Sequence, residues 1–171
     1  MIESFADRWA ASLKAASRSH PIPHEHLKYA ITVWLNMSGV VILCAIGGAL
    51  LGTIRETFIA LGAFVPLRIV SGGYHFKSIE SCTLLSALLF LSIPYVPFFV
   101  DSLYISLIAL MIVVWLAPRS TEKLRLSSKY YPAMKAASIL VICLNFFLDS
   151  YIVALSHLIQ AGLLTLVRKE G

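Results

Sequence analysis

One stretch decides how the chain is interpreted: Arg68-Ile69-Val70-Ser71-Gly72-Gly73-Tyr74-His75-Phe76-Lys77-Ser78-Ile79-Glu80-Ser81-Cys82. It separates two hydrophobic segments, so it marks a boundary between helices. It also combines a double glycine, two cations, a histidine and a cysteine, and the histidine and cysteine are seven residues apart. A cysteine that a histidine makes nucleophilic is the minimum requirement for covalent acyl transfer. The stretch therefore predicts a helix boundary with a chemical site at the membrane surface.

The composition of the whole chain is that of a membrane protein. Of its 171 residues, 58% are hydrophobic and 13% are charged, and the mean hydropathy is +0.82. A soluble domain is about half apolar and a quarter charged. The length allows one domain, with an N-terminal arm at residues 1–28 and a transmembrane helical bundle at residues 29–171. The net charge of +5 does not predict a nucleic-acid partner, because Lys and Arg also collect on cytoplasmic loops and near anionic lipid.

The N-terminal arm predicts an amphipathic helix. Ile2, Phe5, Trp9 and Leu13 recur at near-helical spacing, which is typical of a helix that lies in the membrane interface. We expect this helix to end before Pro21, because the residue preceding a proline disfavours the helical conformation.

Six apolar segments follow the arm and predict an all-α, polytopic membrane protein with about six transmembrane helices. A span needs about 20 residues, with about 17 as the lower limit. The first, third and sixth segments reach this length, the fourth and fifth are slightly short, and the second is clearly short. The second also carries Pro66 near its end, so it either crosses the bilayer or is re-entrant. The segments cover residues 29–53, 57–70, 82–100, 102–116, 133–148 and 151–167.

The positive charges predict the orientation of the chain. If the N-terminus is cytoplasmic and all six segments cross, every Lys and Arg except Arg55 falls on the cytoplasmic side, as the positive-inside rule requires. We therefore expect a multi-pass protein of the cell membrane with both termini in the cytoplasm. Residues 68–82 then lie at the cytoplasmic face.

The histidine and the cysteine of the stretch can meet only if the backbone turns. In a continuous helix they would be roughly 10 Å apart along the axis, whereas a hydrogen bond reaches about 3 Å. Gly72 and Gly73 supply the backbone freedom that such a turn needs. A plain turn would use the same two glycines, and a histidine and a cysteine at this spacing also occur by chance.

Cys82 is expected at the start of the next helix. There the positive end of the helix dipole favours the thiolate form of the side chain. Arg68 and Lys77 add positive potential, although both could instead anchor lipid phosphates. The other two cysteines, Cys44 and Cys143, lie inside apolar runs and are interpreted as small buried hydrophobic residues.

The string Arg68-x-x-x-Gly72-Gly73-x-His75-x₆-Cys82 resembles the signature of the accessory gene regulator B family, the AgrB-type membrane endopeptidases of Gram-positive quorum sensing. The loop at residues 117–123 is similar to the Ala-Pro and lysine-bearing loop that follows the fourth span of that family. Six spans, the chain length and the amphipathic arm are similar as well. Phe76 is a departure, since a small residue often follows the histidine in relatives.

This resemblance implies a cysteine endopeptidase with no cofactor and no metal. Cys82 would attack the carbonyl that joins the core of a short peptide precursor to its tail, and His75 would move the proton. A cysteine of the precursor would then capture the thioester as a thiolactone. The precursor would carry an amphipathic leader and an acidic tail, and basic residues would attract that tail: Arg68, Lys77, Arg119, Lys123, Arg125 and Lys129.

Several assignments stay open at this point. The same basic residues also serve as topology determinants. The residue that orients the histidine could be any of four: Asn36, Ser78, Glu80 and Asn145. Both asparagines also suit polar contacts between helices, and glycines of the first span permit close helix approach, within the chain or in a homodimer. Three histidines near the end of the arm are interpreted as a polar link at the interface, with a zinc site as the alternative: His20, His24 and His26. In the sixth segment, His157 is interpreted as a neutral histidine bonded to another helix.

Two other functions fit an apolar chain of this length. It could be a small membrane transporter, or a noncatalytic membrane partner of a sensor. An ion-coupled carrier usually needs acidic groups near the middle of the bilayer. Glu56, Asp101 and Asp149 all lie at span ends, which counts against coupled transport.

Overall fold

The described residues fold almost entirely into α-helices, which confirms the predicted all-α class. The computed structural model describes residues 2–16, 23–73, 78–97, 99–120 and 128–167. Within these ranges, the seven α-helices are α1 (Ile2–Ala16), α2 (His24–Leu51), α3 (Ile54–Ser71), α4 (Ile79–Ser92), α5 (Ser102–Leu116), α6 (Tyr131–Leu148) and α7 (Tyr151–Thr165). Two short strands, β1 (Gly72–Gly73) and β2 (Arg119–Ser120), and two 3₁₀ turns at Ile93–Tyr95 and Ser128–Tyr130 complete the described fold.

The N-terminal helix α1 forms as predicted, but a different face packs against the bundle. Ala6 and Ala10 are fully buried in a small cluster with Ile31 of α2. Trp9 and Leu13, which define the predicted apolar face, remain 51% and 46% exposed. Two small alanines allow close approach to α2, and the larger side chains stay available to an interface between water and lipid.

Among the residues that the structure describes, two helices, α2 and α6, are long and apolar enough to cross a membrane by length and composition. The stretches Glu80–Tyr95, Ser102–Leu116 and Tyr151–Thr165 are shorter apolar helices. Helix α5 has the predicted boundaries, and α2 begins directly after Pro23, five residues earlier than predicted. Helix α6 has 18 residues and is longer than expected.

Two of the predicted segments were wrong in length: the second, which forms the 18-residue helix α3, was predicted too short, and the third was predicted too long. Helix α4 ends at Ser92 instead of continuing to residue 100. Pro94 lies in the 3₁₀ turn that follows, and because a proline has no N–H to donate, it ends the α-helical hydrogen-bond pattern there. Helix α7 ends at Thr165, two residues before the predicted end.

Helix α3 occupies the centre of the bundle and contacts α2, α4, α6 and α7. It is one helix of 18 residues that continues through Pro66, so it is about 27 Å long at 1.5 Å per residue. Its buried side chains contribute to two hydrophobic clusters, one with α2 and α4 around Phe64 and one with α5, α6 and α7 around Leu67. The end of α3 therefore lies where the helices that carry the site converge.

Polar and small residues fix the helices relative to one another, as expected for the two asparagines. Thr83 of α4 donates a hydrogen bond to the Asn36 side chain of α2 at 2.7 Å. The Asn145 amide of α6 donates to Ser106 of α5 at 3.0 Å. At Gly39 of α2, an added Cβ would lie 2.9 Å from the Thr83 side chain, so this glycine serves close packing within the chain.

Candidate functional site

The site begins where α3 ends, at two glycines with left-handed backbone. Gly72 has φ +77° and Gly73 has φ +147°, conformations that side chains other than glycine rarely adopt. These two residues form β1, which pairs in parallel with β2 so that Gly72 lies opposite Arg119 and Gly73 opposite Ser120. The structure therefore brings together two motifs that the sequence had singled out separately, the double glycine and the Ala-Pro loop.

Gln160 of α7 lies against the other side of this strand. Its Nε2 atom donates to the Gly72 carbonyl at 2.6 Å and to Ser71 Oγ at 3.0 Å. Its side chain is fully buried. This residue was not predicted from the sequence. A lone glutamine within an apolar span was the available signal, because polar side chains inside such spans usually have a partner or a function.

Arg68, one turn before the end of α3, joins the same network. Its Nη1 atom donates to Gln160 Oε1 at 3.4 Å, and its guanidinium lies 5.7 Å from the centre of the Phe64 ring, within the range of a cation–π contact. A Cβ at Gly73 would lie 3.2 Å from both Arg68 Nη1 and Gln160 Nε2. Arg68 is therefore held against the glycine strand.

Cys82 lies near the beginning of α4, as predicted. The helix begins at Ile79, and the Cys82 N–H donates to the Ser78 carbonyl at 3.1 Å. The next residue, Thr83, makes the hydrogen bond to Asn36 that fixes α4 against α2. Cys82 is 8% exposed, so this residue is buried within the bundle.

A small cavity of about 30 Å³ joins Cys82 to Arg68. Most of its wall is hydrophobic, and the Phe64 and Phe90 rings meet edge to face with centroids 5.1 Å apart. The full lining consists of Phe64, Arg68, Cys82, Leu85, Ser86, Leu89, Phe90 and Leu163. A thiol and a guanidinium thus share a space that is otherwise largely apolar, where the positive charge can stabilise an anion.

The remaining predicted residues divide into those inside and those outside the described ranges. Arg119 lies in β2 beside the glycine strand, and Lys129 is exposed in the 3₁₀ turn that precedes α6. Four of the predicted site residues, His75, Lys77, Lys123 and Arg125, lie outside the described residues.

The structure also bears on the four residues considered as partners for His75. Asn36 is bonded to Thr83, and Asn145 is bonded to Ser106 and to the backbone of Ser150. Ser78 donates to Glu80 Oε2 at 2.9 Å. Both asparagines therefore serve contacts between or within helices.

The other histidines have identifiable surroundings where they are described. His24 Nε2 lies 3.9 Å from an Asp7 carboxylate oxygen, and His20 lies outside the described ranges. His157 is buried and hydrogen-bonded to the backbone of Ala63 in α3. In the part of the chain that the structure covers, no group of three or more His, Cys, Asp or Glu side chains is placed to hold a metal ion.

Comparison with known proteins gives one family. A family model described as accessory gene regulator B matches residues 6–168, a range that includes every residue of the site. Protein FsrB of Enterococcus faecalis (strain ATCC 47077 / OG1RF) is 30% identical over 125 residues, which cover 68% of this chain and 51% of FsrB. The chain thus spans about half the length of the curated relative that it matches. No solved structure matches the chain.

Proposed function

The chain belongs to the accessory gene regulator B family, and we propose that it is a membrane cysteine endopeptidase that matures an autoinducing-peptide precursor in quorum sensing. The surroundings of Cys82 carry this proposal. Cys82 lies near the start of a helix and lines a cavity together with Arg68. The glycine strand that leads toward His75 is held on one side by β2 and on the other by Gln160.

The proposed reaction has two acyl-transfer steps. His75 accepts the proton of the Cys82 thiol, and the thiolate attacks the carbonyl carbon that joins the peptide core to its tail. His75 then gives the proton to the amine of the departing tail, which leaves a thioester on Cys82. The thiol of a cysteine in the peptide core loses its proton and attacks this thioester. A thiolactone forms, and Cys82 recovers its proton.

The second step requires that water stays away from the thioester, because hydrolysis would release an open-chain peptide. Phe64, Leu85, Phe90 and Leu163 supply much of the wall beside Cys82. An apolar wall disfavours bound water, while a thiol on the same peptide acts at a high effective concentration. The surroundings of Cys82 therefore favour ring closure over hydrolysis.

The positive residues around the site suit a precursor with an acidic tail. Arg119 is paired through its backbone with Gly72, so one cation lies beside the strand that precedes His75. Lys129 is exposed on the same interhelical connection. We assign Arg119 and Lys129, together with Lys77, Lys123 and Arg125, to attraction of the tail, and Arg68 to support of the glycine strand.

The outer surface of the helices suits a lipid environment. Trp115 is 85% exposed and Phe147 is 89% exposed, and apolar side chains of this size seldom face water in such numbers. We propose six crossings in the cell membrane with both termini in the cytoplasm, the site at the cytoplasmic face and α1 in the interface. This arrangement leaves a single cation, Arg55, on the outer side.

The test is co-expression of the full chain with the short open reading frame adjacent to its gene, followed by mass spectrometry of the peptides. We expect a product without the tail. Its mass should be lower by one water than that of the linear peptide that hydrolysis would release, because this is the mass of the thiolactone. Cys82→Ala and His75→Ala should each abolish this product, and Cys143→Ala, a half-buried cysteine in α6, should retain it. Formation of the product by either site variant at matched expression would refute the proposed chemistry.

Cys82→Ser separates this function from the two alternatives. An endopeptidase of this type loses cleavage, because a serine hydroxyl is a far weaker nucleophile than a thiolate at neutral pH. A carrier or a noncatalytic partner of a sensor would be almost unaffected by the loss of one sulfur atom.

A further inference from the structure

The Gln160 side chain makes three hydrogen bonds next to the site. It is fully buried in α7, and both the nitrogen and the oxygen of its amide form hydrogen bonds. Nε2 donates to Ser71 Oγ and to the Gly72 carbonyl, and Oε1 accepts from Arg68 Nη1. Burying an amide is unfavourable unless its donors and acceptors are satisfied. Here all three partners belong to one short stretch, the end of α3 and the start of β1.

The bonded stretch is the part of the chain that leads to His75. Gly72 is held by backbone pairing with Arg119 on one side and by Gln160 on the other. Gly73 approaches Gln160 so closely that an added Cβ would lie 3.2 Å from Nε2. His75 follows Gly73 by two residues, so the covalent chain limits the distance between their Cα atoms to about 7 Å. Any displacement of Gly72 or Gly73 therefore alters where the imidazole can lie.

We propose that Gln160 is a positioning residue for the endopeptidase reaction. It fixes the glycine strand and so determines whether His75 can reach the thiol of Cys82, which α4 holds independently through Thr83 and Asn36. The inference rests on the proposed function, because it assumes that His75 is the base. Gln160 lies outside the set of residues that line the cavity with Cys82, and it acts through the strand.

The variant that tests this role is Gln160→Met in the full chain, reconstituted in lipid nanodiscs. Methionine is close to glutamine in length and volume but makes none of the three hydrogen bonds. We expect kcat for cleavage to fall about 10- to 100-fold, because a displacement of about 1 Å at a reacting group has this effect. KM should change less than about twofold, since the contacts that bind the precursor remain.

The matched control is Ser156→Ala, one turn earlier in α7. Ser156 is also fully buried, but its hydroxyl donates to the Ile152 carbonyl of its own helix at 2.7 Å. Loss of this bond should leave kcat within about twofold of the parent value. If Gln160→Met does not fold, Gln160→Glu provides the second variant, because it keeps the side-chain length and replaces the donor facing the Gly72 carbonyl with an acceptor.

A double-mutant cycle with His75→Ala distinguishes positioning from a general loss of structure. The readout is the rate at which iodoacetamide alkylates Cys82 in a chain that also carries Cys44→Ala and Cys143→Ala. If Gln160 acts through His75, Gln160→Met slows alkylation in the parent and causes no further change in the His75→Ala chain. Equal slowing in both chains, or a kcat within twofold of the parent, would overturn the inference. Wild-type cleavage by His75→Ala alone would instead refute the proposed function.

Discussion

The backbone at Gly73 gives a quantitative prediction for Gly73→Ala. An alanine there must adopt φ +147°, a region that side chains rarely enter, at a cost of about 1–3 kcal/mol. Its Cβ would also lie 3.2 Å from Arg68 Nη1 and from Gln160 Nε2, so both side chains must move by a few tenths of an ångström. We therefore expect the free energy of unfolding to fall by about 2 kcal/mol and cleavage of the precursor to fall more than tenfold.

The matched control is Gly62→Ala in α3. An added Cβ at Gly62 meets no atom within 4 Å, and its helical backbone suits alanine. This variant should be more stable than the parent by up to about 1 kcal/mol and fully active. The assay is SDS-induced unfolding in mixed micelles, with cleavage measured on the folded fraction. Equal stability of the Gly73→Ala variant and the parent, or an equal loss in both variants, would refute the argument.

Three further predictions concern the helix contact, the cavity and the basic residues. Thr83→Val removes the hydrogen bond to Asn36 and should lower the free energy of unfolding by about 0.5–1.5 kcal/mol. The measurement is unfolding in the same micelles, and an unchanged value would show that this bond does not stabilise the fold. Ser86→Leu should overfill the small cavity beside Cys82, so it should reduce kcat/KM and lower the free energy of unfolding by about 1–3 kcal/mol; wild-type kinetics would contradict this prediction. Arg119→Gln with Lys129→Gln should weaken cleavage most at low salt and flatten its salt dependence, whereas a parallel loss at every salt concentration would exclude attraction of the tail.

The helices could be predicted from the sequence where apolar runs end at clear signals. Helix α5 was predicted correctly from its apolar run, which begins directly after Asp101, the residue that caps the helix in the structure. Helix α4 was predicted too long because the apolar run continues past Pro94, and the segment was extended to the end of that run. Hydropathy indicates where a segment is apolar, but it does not indicate which proline ends a helix: α4 ends just before Pro94, whereas α3 continues through Pro66.

The site could be predicted only in part. Cys82 near a helix start and the unusual backbone at Gly72 and Gly73 both followed from local patterns. The pairing of Gly72 with Arg119 joins residues that are far apart in sequence, and no local pattern specifies such a pair. Gln160 could have been noticed as a polar residue among apolar ones, but its partners depend on how α7 packs against α3.

The unequal lengths of the helices have a consequence for the surrounding membrane. Helix α2 has 28 residues and extends about 42 Å, whereas α5 and α7 have 15 residues each and extend about 22 Å. The hydrocarbon core of a bilayer is about 30 Å thick. In the proposed topology, the acyl chains must therefore compress beside α5 and α7.

Hydrophobic mismatch would then act along α5 and α7. A thinned leaflet shortens the path by which a peptide lying among the headgroups reaches the reacting thiol. Lipids with shorter acyl chains would match the length of the short helices without compression. Lipids with longer acyl chains would increase the mismatch. The turnover of this protein would accordingly depend on the thickness of the membrane in which it resides.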